Sequence, residues 1–260
     1  MDNVNKTLYI PLYGKAYVSQ RGILLKDKKA EKIWAAEGFP LKGKAKSRWL
    51  AYNMGMRSAV FDRWTSRQLQ KYPEAVVLHV GCGLDSRCVR VGHAGQQWFD
   101  VDFPEVIAER RRYFSETEEY RMIPSDLREP EWLFQIPAGK TAVIVMEGVS
   151  MYLTPEELKA VLKRWKEHFP EVRLLLDSYT VFAAKATKYK NPINQVGVTQ
   201  VYGFDEPGEL EDGTGLAFVQ EHSLTPEDLI VQLPKREQGF FKVMFAGKLA
   251  KKIYRLYEYR

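Results

Sequence analysis

The sequence predicts a doubly wound α/β fold: a seven-stranded, mostly parallel sheet with an antiparallel C-terminal strand, preceded by an N-terminal helical lid. Three observations carry that prediction. The stretch VVLHVGCGLDSR sets an apolar run suited to a buried parallel strand directly before the turn Gly81-Cys82-Gly83. From Ala75 onward, short apolar runs alternate with helical patterns. Acids recur at the ends of those runs, where a doubly wound sheet holds its ligands.

Taken in order, residues 1–72 read as the cap, with a short helix in KKAEKIWAAEG ending at Gly38 and a longer one in NMGMRSAVFDRWTSRQLQKY. Residues 73–260 read as the sheet domain. AVVLHVG, QQWFDVD, YRMIPSD, TAVIVMEG and VRLLLDSY are strands one to five. PEVIAERRRYFSE and PEELKAVLKRWKEHF are connecting helices, each opening with a proline that suits the first helical turn. After a helix through VFAAKATKY the rhythm breaks, and the Gly-, Asp- and Glu-rich stretch around residues 190–215 reads as an insertion. LAFVQEHSL is a sixth strand, TPEDLIVQL starts a helix and IYRLYEYR closes the sheet.

Composition narrows the classes. The 260 residues suffice for one large α/β domain, and 45% apolar with 28% charged residues is ordinary for a globular chain. No run of eighteen apolar residues occurs and residues 1–6 are polar, so a cytoplasmic protein with no membrane partner is expected. Cys82 and Cys88, the only cysteines, fit neither a disulfide framework nor zinc-ligand spacing; reduced thiols and no metal are expected. The formal charge is +6, and the basic bias of residues 15–57 reads as a solvated helical face, with no nucleic acid called for.

The strand ends supply the chemistry. Asp102, about twenty residues beyond the glycine turn, is placed to accept from both hydroxyls of a ribose, whereas Asp100 lies within its strand. Ser125-Asp126 ends strand three, where an acid can accept from an adenine amino group; the competing reading of Asp126 is a helix cap. Glu147-Gly148 ends strand four. Ser86 stands where a dinucleotide fingerprint has its third glycine, and no tyrosine has a lysine four residues later, so a nicotinamide enzyme fits poorly. An adenosine pocket for a sulfonium cofactor fits the set.

GCGLDSR, WFDVDFPEVI, SDL and EGVSMYLTPEEL, together with the upstream TLYIPLYGKA and MRSAVFDRW, resemble the leucine carboxyl methyltransferase family, in particular its bacterial branch resembling tetracenomycin-type polyketide O-methyltransferases. The resemblance implies the class I methyltransferase sheet and S-adenosylmethionine as cofactor. It implies that Gly81, Cys82 and Gly83 pass under the cofactor's methionine portion and that Asp102 and Phe103 meet the ribose. Ser125, Asp126 and Leu127 would lie by the adenine, Glu147 and Gly148 by the amino group, and Arg57 and Lys15 by the carboxylate. The family often has Thr where this chain has Ser86, which keeps the hydroxyl.

Methyl transfer needs proximity and a dry site more than dedicated side chains. A carboxylate acceptor needs no base, whereas a hydroxyl does. His222 is the one histidine retained as a candidate base, a structural role being the alternative; His79, His93 and His168 read as structural or surface groups. Tyr152 is a candidate for the acceptor wall, packing being the alternative. The expected function is O-methylation of a carboxylate or hydroxyl on a small molecule. Methylation of a peptide C-terminus or RNA, and cofactor binding without turnover, are the alternatives.

Overall fold

In the computed structural model the described residues are 7–41, 43–92, 95–186, 200–247, 250 and 252–260. Three helices come first: α1 (Tyr9–Gln20), α2 (Lys28–Glu37) and α3 (Arg48–Lys71). The Asp27 side chain accepts from Ala30 N at 2.8 Å to cap α2, and Gly38 closes that helix in the left-handed conformation. Helix α3 begins five residues earlier than the sequence pattern suggested, because Ser47 supplies its N-cap. Helix α1 was not read from the sequence as an element. Pro11 falls in its first turn, where proline costs nothing, and Leu12, Ala16 and Val18 bury against the neighbouring helices.

The sheet then forms from β1 (Val76–Val80), β2 (Trp98–Asp102), β3 (Tyr120–Pro124), β4 (Ala142–Met146), β5 (Val172–Tyr179), β6 (Phe218–His222) and β7 (Tyr254–Tyr259). Their order is β3-β2-β1-β4-β5-β7-β6. β1 to β5 pair in parallel and β7 runs antiparallel to both β5 and β6, as the sequence predicted. The order reverses between β1 and β4, so the crevice beyond their carboxyl ends is the expected ligand position.

Connecting helices are α4 (Arg87–Val91), α5 (Pro104–Arg110), α6 (Pro155–His168), α7 (Val181–Ala186), α8 (Glu227–Ile230) and α9 (Lys235–Phe241), the last continuing as a π-helical stretch, Lys242–Ala246. Thr154 and Glu157 form a reciprocal capping box at α6, with Pro155 in its first turn. The expected helix in TPEDLIVQL shrinks to α8, and α9 with its continuation was not foreseen. Of the insertion expected around 190–215, residues 187–199 lie outside the described set. Beyond them Gly203 bridges to Tyr179, and Phe204, Leu210 and Leu216 are buried.

Alternation along each strand divides the core. Val77, Val143, Val145 and Leu175 face α1, α3, α8 and α9. Val76, Leu78, Ile144 and Leu174 face α6 and the Glu131–Gln135 turn. β1 and β4 are buried along their whole length, which is why their sequences are continuous apolar runs.

Candidate functional site

The turn after β1 requires its glycines. Gly81 has φ +63°, and a Cβ there would sit 2.1 Å from Val149 Cγ2; Gly83 has φ +50°. Asp102, at the end of β2, ties this turn to its own: Oδ2 accepts from Gly83 N at 2.7 Å and Oδ1 from Phe103 N at 2.8 Å. Burial pushes its carboxyl up to about 6, against the pull of those two N–H groups and Arg110. Asp100 does different work: wholly buried, it pairs with Arg110 and accepts from Tyr120 Oη and Trp98 Nε1. Asp126 accepts from Arg128 N at 2.9 Å and pairs with the Arg128 guanidinium; only a turn follows it, so the helix-cap reading does not hold, and the residue lines the cavity.

Beside these acids lies a buried ionic cluster. From α3, Arg57 donates through Nε to Glu147 Oε1 and through Nη1 to Asp177 Oδ2 and Tyr254 Oη, each at 3.1 Å. Asp177 also accepts from Gly148 N at 2.6 Å, which fixes the turn after β4. Glu147 pairs in addition with Arg87. Burial alone would raise the Glu147 carboxyl, but Arg87, Arg57 and Lys15 bring it down to about 2. Lys15, on α1, meets Asp85 at 2.9 Å. The basic stretch read as a solvated face is therefore not uniformly so: Lys15 and Arg57 are 3% and 6% exposed.

Ser86, the residue that departed from the dinucleotide pattern, donates its hydroxyl to Asp27 at the start of α2. Arg90 bridges the same Asp27 to Asp85 at 2.6 Å each, and Arg87 and Arg90 both hold Asp62 of α3. The glycine turn is thus fastened to the N-terminal helices by buried charge. His79 lies inside this cluster, its Nδ1 3.3 Å from Asp100 Oδ1 without the alignment of a hydrogen bond. Burial lowers its pKa, so it stays neutral. His168 contacts the Ile136 carbonyl at 3.1 Å, and His93 falls outside the described residues.

One cavity of about 810 Å³ brings the candidates together. Lys15, Arg57, Gly81, Cys82, Gly83, Asp102, Phe103, Ser125, Asp126, Leu127, Glu147, Gly148, Tyr152 and His222 all line it. Both cysteines are buried free thiols, and burial lifts Cys88 to about 12, which leaves it inert. The same cavity also has aromatic and apolar lining: Tyr179 and Tyr254, with ring centroids 4.8 Å apart, and Met244, Phe245 and Ile253. Burial raises the Tyr152 phenol to about 12, so at neutral pH it stays protonated and is no base. His222 Nε2 lies 2.7 Å from Glu258 Oε2. Among the described residues no cluster of His, Cys, Asp and Glu suits a metal.

Sequence reasoning missed Asp177, Tyr254 and the Met244–Phe245 wall. Asp177 was visible in "VRLLLDSY" as an acid near the end of strand five. The aromatic wall had no local signal.

The donor set suits an adenosine bearing an amino acid. Each Asp102 oxygen takes one N–H, which leaves lone pairs that could accept from a vicinal diol, and Arg57 has its guanidinium beside Glu147. The sequence model of the leucine carboxyl methyltransferase family matches residues 6–166. The tetracenomycin polyketide synthesis O-methyltransferase of Streptomyces glaucescens is 34% identical over 170 residues, 65% of this chain and 63% of that one. An S-adenosyl-L-methionine-dependent methyltransferase of Gibberella zeae is 28% identical over 60% of this chain and 57% of its own length. The matched stretch therefore spans about six tenths of these curated relatives. Among solved structures, the magnesium protoporphyrin IX methyltransferase of Synechocystis, with bound S-adenosylhomocysteine, superposes with a TM-score of 0.52 at 12% identity, over 89% of this chain and 94% of that one. It shares the class I methyltransferase fold, as the sequence reading expected. With its model matched over more than half of the chain, the protein belongs to the leucine carboxyl methyltransferase family.

Proposed function

We propose that the protein is an S-adenosylmethionine-dependent O-methyltransferase of a small, largely apolar acceptor. The observation that carries this is one cavity lined both by the acids and glycines of the strand ends and by aromatic and apolar side chains. Bound there, the cofactor supplies a methyl group on a positively charged sulfur. Asp102 would accept from the ribose hydroxyls, Asp126 and Leu127 would border the adenine, and Arg57 and Lys15 would meet the carboxylate. Glu147 and Asp177 hold the Arg57 guanidinium in place. The N-terminal helices, in this reading, cover the cofactor and exclude water, because α1 contributes Ile10, Leu12 and Lys15, and its N-cap Leu8, to the cavity wall.

The acceptor is a polyketide-like carboxylate or hydroxyl, a reading supported by the name of the Streptomyces relative and by the aromatic wall. A carboxylate would react without a base. The short His222–Glu258 contact favours a second version, in which Glu258 fixes the imidazole and His222 takes the proton of a hydroxyl. Incubating the protein with labelled S-adenosylmethionine and a panel of aromatic acids and phenols tests both: alkali-labile product is an ester, alkali-stable product an ether. No cofactor binding at all would remove the proposal.

A further inference from the structure

The segment leading to the cavity mouth carries apolar side chains outward. Phe240, Val243 and Met244 stand at i, i+3 and i+4 on α9 and its π-helical continuation, and are 50%, 74% and 49% exposed. The opposite face is the one that packs: Phe241 is wholly buried and stacks on Phe245 with centroids 5.0 Å apart. The outward ridge is broadened by half-buried Trp49, whose ring lies 4.6 Å from Phe240, and by Ile253, 40% exposed. Met244 and Ile253 also line the cavity, so the ridge is its rim.

Charge follows the same segment. Residues 235–255 contain seven Lys or Arg and one acid, Glu237, an excess equal to the +6 of the whole chain. The acids that approach are engaged. Glu237 accepts from Tyr52 Oη at 2.7 Å and pairs with Arg48 at 3.5 Å, and Glu227 pairs with Lys242. Lys235 and Arg236 in the first turn of α9, and Lys252 next to Ile253, are exposed.

We propose that this ridge seats on an anionic lipid surface, with Phe240, Val243 and Met244 entering the headgroup boundary and the flanking Lys and Arg meeting lipid phosphates. An outward apolar ridge ringed by cations is the pattern of a helix that lies in a membrane interface. A second copy of the chain would bring like charges together. No described helix is long and apolar enough to cross a membrane; the expectation of no membrane partner rested on the lack of a long apolar run and on the polar residues 1–6, and lying on a bilayer is a different physical state. The consequence, which rests on the acceptor reading above, is that an apolar acceptor enters the cavity from the bilayer. The binding itself does not depend on that reading.

Flotation of the full chain with vesicles of phosphatidylcholine, alone or mixed with phosphatidylglycerol, tests this at low and near-physiological salt. The protein should float with the mixed vesicles and not the neutral ones. Lys235→Gln and Arg236→Gln should each weaken binding about fivefold at low salt. Val243→Asp should weaken it at least about tenfold, with an unchanged melting temperature and unchanged methylation of a water-soluble acceptor. Absence of flotation with anionic vesicles at low salt would overturn the proposal, as would Val243→Asp floating like wild type. A concentration-dependent dimer that Val243→Asp dissolves would assign the ridge to a second copy instead. If flotation fails while S-adenosylhomocysteine still binds, the cofactor reading stands and this one falls.

Discussion

The two ends of the cavity are built from different materials. At the crevice end, Asp102, Glu147 and Asp177 are held by backbone N–H groups and buried guanidinium groups at 2.6–3.1 Å. On the aromatic side, Tyr152 and Tyr179 pack together with Tyr254, which also accepts from Arg57, while Met244 and Phe245 come from the continuation of α9. Charge and hydrogen-bond geometry fix positions sharply, whereas apolar contact tolerates exchange of shape. The first end is suited to one constant ligand and the second to acceptors that differ.

The sharpest way to break this contrast is to remove the central cation. Arg57→Ala leaves Glu147 and Asp177 buried with fewer partners, so the fold should lose about 3–5 kcal/mol and its melting temperature about 10 °C. Calorimetry that finds Arg57→Ala as stable as wild type would mean the cluster is not what holds this end. Asp102→Ala should be milder for the fold and severe for the ligand. Two charge-assisted hydrogen bonds are lost, weakening S-adenosylhomocysteine on the order of a hundredfold in titration calorimetry.

The same residue gives a pH dependence. In the proposed complex the ribose hydroxyls would donate to the ionised form of Asp102, whose pKa is raised to about 6 by burial. Affinity should therefore be constant at higher pH and fall as pH drops through 6, because the proton competes with the ligand. A flat profile from pH 7 to 5 would show that Asp102 is not the acceptor.

On the aromatic side the effects should depend on the substrate. His222→Asn should reduce methylation of a phenol about a hundredfold and leave that of a carboxylic acid within about twofold, since only the former needs a base. Equal losses on both would make His222 a packing residue. Tyr152→Phe removes one donor and should raise the acceptor KM by less than about tenfold, with kcat nearly kept.

The difference between the ends also explains what the sequence disclosed. Gly81, Gly83 and Asp102 were legible because a positive φ and a close backbone approach admit few residue types, and because each follows its strand directly. The parallel sheet was legible because strands buried on both faces are continuous apolar runs. Asp85 and Asp177 stood in plain view, but nothing local shows that their partners are Lys15 and Arg57, 70 and 120 residues away. The aromatic wall was not legible. Met244 and Phe245 sit on a helix whose periodicity is blurred by outward-facing Phe240 and Val243 and by the π-helical turn. Tyr254 reads as an ordinary strand residue until β7 pairs with β5 and sets it against Tyr179.

The central claim is that the crevice end holds a sulfonium nucleoside through Asp102. Its most direct test is the melting temperature of wild type and Asp102→Ala with S-adenosylmethionine, S-adenosylhomocysteine, NAD or no ligand. At a hundred times its dissociation constant a ligand adds about 2.7 kcal/mol, or several degrees for a chain of this size. The two sulfur nucleosides should stabilise wild type, NAD should do nothing, and Asp102→Ala should lose the shift. Stabilisation by NAD, or an undiminished shift in Asp102→Ala, would contradict it.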